Sequence, residues 1–249
     1  MPSSSRTVDA RRSYQQVADR IRAVIQDGAF SVGSRLPPER ELALQLGVSR
    51  PSLREALIAL EIDGRVEIRM GSGVYVCAPP ATIEHGTPAL GESAIELMQA
   101  RAALEGAVIT LAAARATRAG LDRVAESLRA MRREHARGRT PVDADRRFHL
   151  SIAEMGGNSV LVRLVGELFD GRHSPISSHM RGRSENVQTW TAALQEHEAV
   201  YHALEARDPQ AAAAAMFTHL RASQERWLAE PSAAQEPTPL MNVPDKDSA

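Results

Sequence analysis

At 249 residues the chain is long enough for two domains, and its 30 basic and 31 acidic residues leave a net charge of −1, which still permits a local arginine cluster to neutralise phosphate. No apolar run reads as long enough to cross a membrane, and Met1 to Arg6 lack the apolar stretch of a signal peptide, so a cytoplasmic protein is expected. The one cysteine, Cys77, excludes an internal disulfide and reads as a small packing residue.

Residues 1–12 are polar and are expected to form a disordered arm. A first helix is predicted from Tyr14 to Asp27, with Val17, Ile21, Val24 and Ile25 facing a core. A short amphipathic helix from Arg40 to Leu46 stops at Gly47, and another begins at once. There Ser49 is a good N-cap, Pro51 falls in the first turn where its missing N–H costs nothing, and Leu53, Leu57 and Leu60 recur at helical spacing. Arg50 and Arg54, four residues apart, share a different and exposed face. Helix, tight turn, helix presents the second helix to the DNA major groove, where arginine bonds guanine edges or phosphates. A solvated arginine face on a core helix is the alternative.

The next segment favours the recognition helix. Arg65 to Met70 alternates with a period of two, and Val74-Tyr75-Val76 comes after Gly71-Ser72-Gly73, which predicts a two-stranded wing. Leu42, Leu46, Val66 and Ile68 complete the expected core of a winged helix-turn-helix over residues 13–77. Residues 78–93, rich in proline and glycine, read as a linker. From Ser93 the pattern is helical throughout, with breaks at Gly120, Gly138 to Pro141, Gly156 to Asn158, Gly171 to Pro175, Gly182 and Asp208-Pro209. That predicts an all-α antiparallel bundle of six or seven helices over residues 94–229, so the fold class is mainly α. Residues 230–249 read as a disordered tail.

The chemistry of the bundle lies in Asp145, His149, His197 and His219. A helix places Asp145 and His149, four residues apart, on one face. His197 and His219 stand at nearly equal distances from the turn at Arg207 to Pro209, so an antiparallel hairpin brings them level. One carboxylate and three imidazoles suit a divalent metal, with zinc, nickel, manganese and iron all chemically admissible. Spacing alone leaves a structural role open, since histidines on helix faces are common.

Two linked sets of motifs carry a family resemblance. Gly33-Ser34-Arg35-Leu36-Pro37-Pro38-Glu39-Arg40-Glu41-Leu42-Ala43, Val48 to Leu57, and Gly71-Ser72-Gly73-Val74-Tyr75-Val76 resemble the DNA-binding domain of the GntR family of bacterial transcription regulators. By that resemblance Arg40, Arg50, Ser52 and Arg54 contact DNA, with Gly71 at the wing tip, while Met70 departs from the polar or basic residue common before that glycine. The bundle resembles the metal-containing effector domain of the FadR subfamily. The matching motifs are Arg101-Ala102-Ala103-Leu104-Glu105, Asp145-Arg146-Arg147-Phe148-His149, Gly157-Asn158, Glu196-His197-Glu198 and Asp208-Pro209 through His219.

Asp145, His149, His197 and His219 fall on that class's ligand positions, with zinc the leading ion, and Arg101 falls on an effector-facing position. Arg172 is a second candidate anchor for a carboxylate; structural ion pairs are the alternative for both arginines. Further similarity to repressors of hexuronate breakdown implies a sugar acid as effector. The expectation is a homodimeric regulator on a palindromic operator, released by a small carboxylate. A sensor for which the ion is itself the signal, and a metal-dependent enzyme, are the alternatives.

Overall fold

The computed structural model describes residues 13–78 and 90–229; the expected arm, tail and most of the linker lie outside the described residues. The N-terminal part contains α1 (Ser13–Gln26), α2 (Glu39–Leu46), α3 (Arg50–Ile62), β1 (Val66–Arg69) and β2 (Gly73–Val76). Gly47, at φ +65°, closes α2 by donating its N–H to the Ala43 and Leu44 carbonyls, a left-handed cap that a side chain would strain. The Ser49 hydroxyl accepts from the Ser52 N–H at 3.2 Å and Pro51 sits in the first turn of α3. The strands pair antiparallel, Val66 with Val76 and Ile68 with Val74. Together these elements form the winged helix-turn-helix, with Tyr14, Leu53, Leu57 and Leu60 at its centre. Val24, expected in this core, is 38% exposed; the buried stripe of α1 runs instead through Tyr14, Val17, Ala18 and Ile21.

The second part is an all-helical bundle of α4 (Ala94–Ala114), α5 (Arg118–Ala136), α6 (Val142–Met155), α7 (Ser159–Asp170), a 3₁₀ turn (Gly171–His173), α8 (Pro175–Ser184), α9 (Val187–Glu205) and α10 (Pro209–Leu228). Two expected breaks fall elsewhere. Gly120 lies in the first turn of α5, where Thr117 is the N-cap and where an added Cβ would come within 2.6 Å of Met155 Sδ, so this glycine serves packing. Gly182 stays within α8; the chain breaks at Glu185 and Asn186, and Asn186 and Thr189 form a reciprocal capping box that opens α9.

One exclusion also fails. By length and composition α4 is apolar enough to span a bilayer, with a mean hydropathy of 1.2. Its apolarity has another cause: α4 is the central helix, packed most extensively on α10 and flanked by α6 and α7, and it buries Arg101 and Glu105. A core helix with neighbours on several sides is apolar most of the way round.

The two parts are joined by buried polar contacts. Glu55 of α3 is 1% exposed and accepts from the Ser93 hydroxyl at 2.7 and 3.0 Å and from the Ile95 N–H at 3.1 Å, at the start of α4. The Tyr14 hydroxyl donates to the Gly91 carbonyl at 2.9 Å. Glu61, near the end of α3, binds Arg183 at 2.7 Å and His179 at 2.8 Å from α8. Replacing Glu55 by Ala strands the Ser93 hydroxyl and the Ile95 N–H, and is expected to lower the unfolding free energy by about 2 kcal/mol in urea melts; a change within error would show that the joint contributes nothing.

Candidate metal centre and nucleic-acid interface

Four helices bring the candidate ligands and their supports to one place. Asp145 and His149 project from successive turns of α6, and the α9–α10 hairpin, whose second helix is capped by Asp208, sets His197 opposite His219 with ring centroids 4.2 Å apart. One ligand atom from each of these four buried residues lies within 4.8 Å of the others, a group that could hold a metal ion. The fourth helix, α4, supplies Glu105 against His149. His202 is exposed, with 71% of its side chain accessible.

The hydrogen bonds around the cluster decide which nitrogen each ring offers. His197 Nδ1 donates to the Ala193 carbonyl at 2.7 Å, His149 Nδ1 to Glu105 at 2.5 Å and His219 Nδ1 to Glu196 at 2.9 Å. With a proton on Nδ1, each ring turns Nε2 toward the cluster, and Nε2 has a free lone pair whenever the ring is neutral. His197 Nε2 and His149 Nε2 lie 2.9 and 3.4 Å from the same Asp145 oxygen, Oδ1, and His149 Nε2 is buried without a hydrogen-bond partner. Lone pairs converging on a carboxylate oxygen repel unless a cation or protons lie between them. The donor set therefore fits a divalent ion, and Glu105, Glu196 and the Ala193 carbonyl are the outer partners that metal-binding histidines ordinarily have.

The charge states of the site reflect these contacts. Burial pushes the Glu105 carboxyl up, but the Arg101 and His149 charges outweigh it and bring it down to about 2. Burial likewise raises Glu196, and hydrogen bonds from His219 and Arg226 reverse this and bring it to about 2. Asp145 is held well below the usual carboxylate range because the two histidines overcome its burial. Burial and the neighbouring His197 push His219 down to about 3, against its bond to Glu196, so that ring is neutral at pH 7.

Beside the cluster is a partly open pocket of about 450 Å³, a volume that includes the solvent at its mouth. Arg101 and Arg172 line it, their guanidinium carbons each 4.8 Å from the centre of the Phe169 ring. Both are ion-paired: Arg101 with Glu105 at 2.7 Å, and Arg172 with Asp145 Oδ2 at 2.7 Å and Glu185 at 2.9 Å. Each nevertheless keeps one buried donor without an acceptor, Arg101 Nη2 and Arg172 Nε. Glu105, Glu196, Arg226 and the pocket tryptophans have no role assigned from sequence. A buried carboxylate four residues after Arg101 in an otherwise apolar helix, and another immediately before His197, are the signals the chain offers for the first two.

Arg40, Arg50, Arg54 and Gly71 line a second, larger cleft between the winged helix and the bundle, together with Arg35 and Arg69. Ser52 sits in the first turn of α3, half-buried. Arg54 is not simply solvated: its Nη1 donates to the Leu228 carbonyl at 2.6 Å, at the end of α10. Trp227, one residue earlier, lines both the cleft and the pocket beside the histidines.

A winged helix-turn-helix fused to a helical bundle with a polar pocket defines a class of DNA-binding transcription regulators. Residues 13–76 match the family of bacterial regulatory proteins called the gntR family and residues 96–222 match the FCD domain, so the chain belongs to the GntR family of transcription regulators, which are not enzymes, in the branch carrying an FCD domain. It is 35% identical over 226 residues to the Uxu operon transcriptional regulator of Escherichia coli (strain K12), covering 88% of each chain. It is 34% identical over 222 residues to the Exu regulon transcriptional regulator of the same strain, covering 85% of this chain and 83% of that one. It is also 34% identical over 223 residues to the same strain's putative L-lactate dehydrogenase operon regulatory protein, covering 84% of each.

Replacing Glu196 by Gln weakens the acceptor that fixes the His219 ring. Zinc affinity, measured by competition with a chelator, is expected to fall about tenfold to a hundredfold while helix content is retained; unchanged affinity would remove Glu196 from the support of the site.

Proposed function

We propose that the protein is a homodimeric cytoplasmic repressor of a sugar-acid catabolic pathway, released from a palindromic operator by a small carboxylate, a hexuronate or its keto isomer being the leading candidate. The observation that carries this reading is a group of four buried metal-capable residues, three of which (Asp145, His197 and His219) line one pocket together with two arginines that have unfilled donors. The likeness to the Uxu and Exu regulators supports the sugar-acid class. Asp145, His149, His197 and His219 hold the ion, zinc first among candidates that include nickel, manganese and iron. When bound, such an ion supplies positive charge and an open coordination position for a ligand carboxylate. The chain's own part is to orient the acid: Arg101 and Arg172 offer donors to its oxygens, and their ion pairs hold them against Phe169 for that purpose.

On the DNA side, Arg50 and Arg54 enter the major groove from the start of α3, Arg40 and Ser52 bind phosphate, and the Gly71 turn brings the wing close to the backbone. Arg54 has to leave the Leu228 carbonyl to do so. Helix α10 therefore holds a ligand-site histidine along its length and the clasp of an operator-reading arginine at its end, which couples the two sites through one rigid element. A ligand that holds α10 in the clasped position favours the form off DNA.

The test uses an operator selected from random duplexes and full-length protein loaded with zinc. A hexuronate is expected to lower operator affinity in fluorescence anisotropy and to raise the melting temperature, by about 2.7 kcal/mol of stabilisation at a hundred times Kd, and a chelator abolishes both effects. Release by zinc alone would replace this reading with one in which the ion is the signal, and indifference to every acid tried would overturn the effector assignment. Arg54→Ala is expected to weaken operator binding by about 1–3 kcal/mol with the fold intact by circular dichroism; unchanged affinity at moderate salt would remove Arg54 from the interface.

A further inference from the structure

Among the described residues, five buried side-chain polar atoms have no hydrogen-bond partner: Arg101 Nη2, His149 Nε2, Arg172 Nε, Ser177 Oγ and Trp190 Nε1. His149 belongs to the histidine cluster, and both arginines line the adjoining pocket. Trp190 lines that same pocket. Its indole N–H differs from the arginine donors in two ways. It carries no charge, so a neutral hydroxyl or carbonyl oxygen satisfies it fully with no charge left to compensate, and it can only donate, so no rotation turns it into an acceptor. It is also held still: the Trp190 backbone N–H bonds the Asn186 carbonyl at 3.0 Å in the first turn of α9, where the Asn186–Thr189 capping box fixes the helix start, and the residue is 7% exposed. The chain has only two tryptophans, and both Trp190 and Trp227 line this pocket. An indole gives a broad apolar face with one polar handle at its edge.

Apart from the imidazole Nε2 atoms assigned to the ion and the Ser184 hydroxyl, the pocket's own side-chain acceptors are engaged. Glu185 binds Arg172 at 2.9 Å, Asp145 binds Arg172 and His197, Thr189 is occupied in the capping box, and the Ser223 hydroxyl accepts from Arg226 at 3.2 Å. Donors are thus in excess, and they are of two kinds: guanidinium donors matched to a carboxylate and a neutral donor matched to a hydroxyl or carbonyl oxygen. A three-carbon hydroxy acid is used up by the charged end of such a site. A longer acid bearing oxygens along its chain satisfies both ends.

We propose that Trp190 is a specificity-determining residue of the effector site, its indole N–H donating to a hydroxyl or carbonyl oxygen of a polyhydroxylated acid whose carboxylate lies toward Arg101 and Arg172. This rests on the effector reading given above and deepens it: the arginines select an acid, and Trp190 selects one that carries oxygens beyond the carboxylate end. A site built to bond a ligand oxygen rejects the analogue that lacks it, because its own buried donor is then left unpaired.

The experiment compares the zinc-loaded full chain with its Trp190→Phe variant, which keeps a ring and removes the donor. Calorimetric titration with D-glucuronate is expected to show about tenfold weaker binding in the variant, with zinc content and the Kd for L-lactate unchanged. Equal weakening for both acids would reduce Trp190 to a packing residue, and equal binding of D-glucuronate by both proteins would overturn the proposal while leaving the effector reading intact. Failure of the wild-type protein to bind either acid would overturn the effector reading itself. A second measurement does not depend on the variant's affinity. The ¹H–¹⁵N spectrum of the wild-type zinc form has two indole cross-peaks, assigned by loss in Trp190→Phe or Trp227→Phe. D-Glucuronate is expected to move the Trp190 peak downfield and L-lactate to leave it in place; a Trp190 peak unmoved by saturating D-glucuronate overturns the hydrogen bond.

Discussion

The structure depends on three hydrogen bonds that fix imidazole rings. Unrestrained, His149, His197 and His219 could each present either nitrogen, or neither, to the space between α6, α9 and α10. Glu105, the Ala193 carbonyl and Glu196 each accept the Nδ1–H of one ring, which turns Nε2 of His149 and His197 toward Asp145. The arrangement is costly to bury, and ion pairs extend outward to offset the cost: Arg101 on Glu105, Arg226 on Glu196, Arg172 on Asp145. Each of those arginines lines the pocket. The network that orients the imidazole nitrogens thereby also lines the pocket with arginines, which is what the proposed acid effector requires of a centre with three carboxylates around it.

Two elements link that network to the DNA-reading surface. Helix α10 runs from the His219 position to the Leu228 carbonyl that receives Arg54. Helix α8 follows Arg172 in the chain, and its Arg183 and His179 meet Glu61 of α3, while Arg183 also reaches the Ile68 carbonyl of the wing. Packed helices of this kind shift as units rather than bend. The recognition helix is thus held at its start by α10 and at its end by α8.

Much of this was legible in the chain because it depends on local chemistry. Ser49-Arg50-Pro51 announces a helix start, Gly47 a stop, and Gly71 a tight turn whatever surrounds them. The convergence of Asp145, His149, His197 and His219 was legible for a related reason: i,i+4 spacing and equal distance from the Asp208-Pro209 turn are facts of helix geometry. What was hidden depends on three-dimensional neighbours. Val24 has helical spacing but falls beside the stripe that α3 covers. Gly120 reads as a breaker until Met155 is seen against it. Glu105 reads as one more helical acid until His149, 44 residues later, is found on it. The apolarity of α4 looks the same in sequence whether helices or lipid surround it.

The joint at Glu55 has a consequence for how such proteins can be recombined. Glu55 belongs to the recognition helix, yet its carboxylate completes the cap of α4 through Ser93, and Arg101 lies about 12 Å further along that helix. The DNA-reading and helical halves are therefore joined here by a buried hydrogen-bonded seam, one of several contacts between them. A chimaera that exchanges operator specificity by grafting another winged helix keeps this joint only if it brings an acidic residue to the seam. Modularity in this architecture has its unit of exchange drawn around position 55 and position 93 together, not at the proline-rich stretch between the halves.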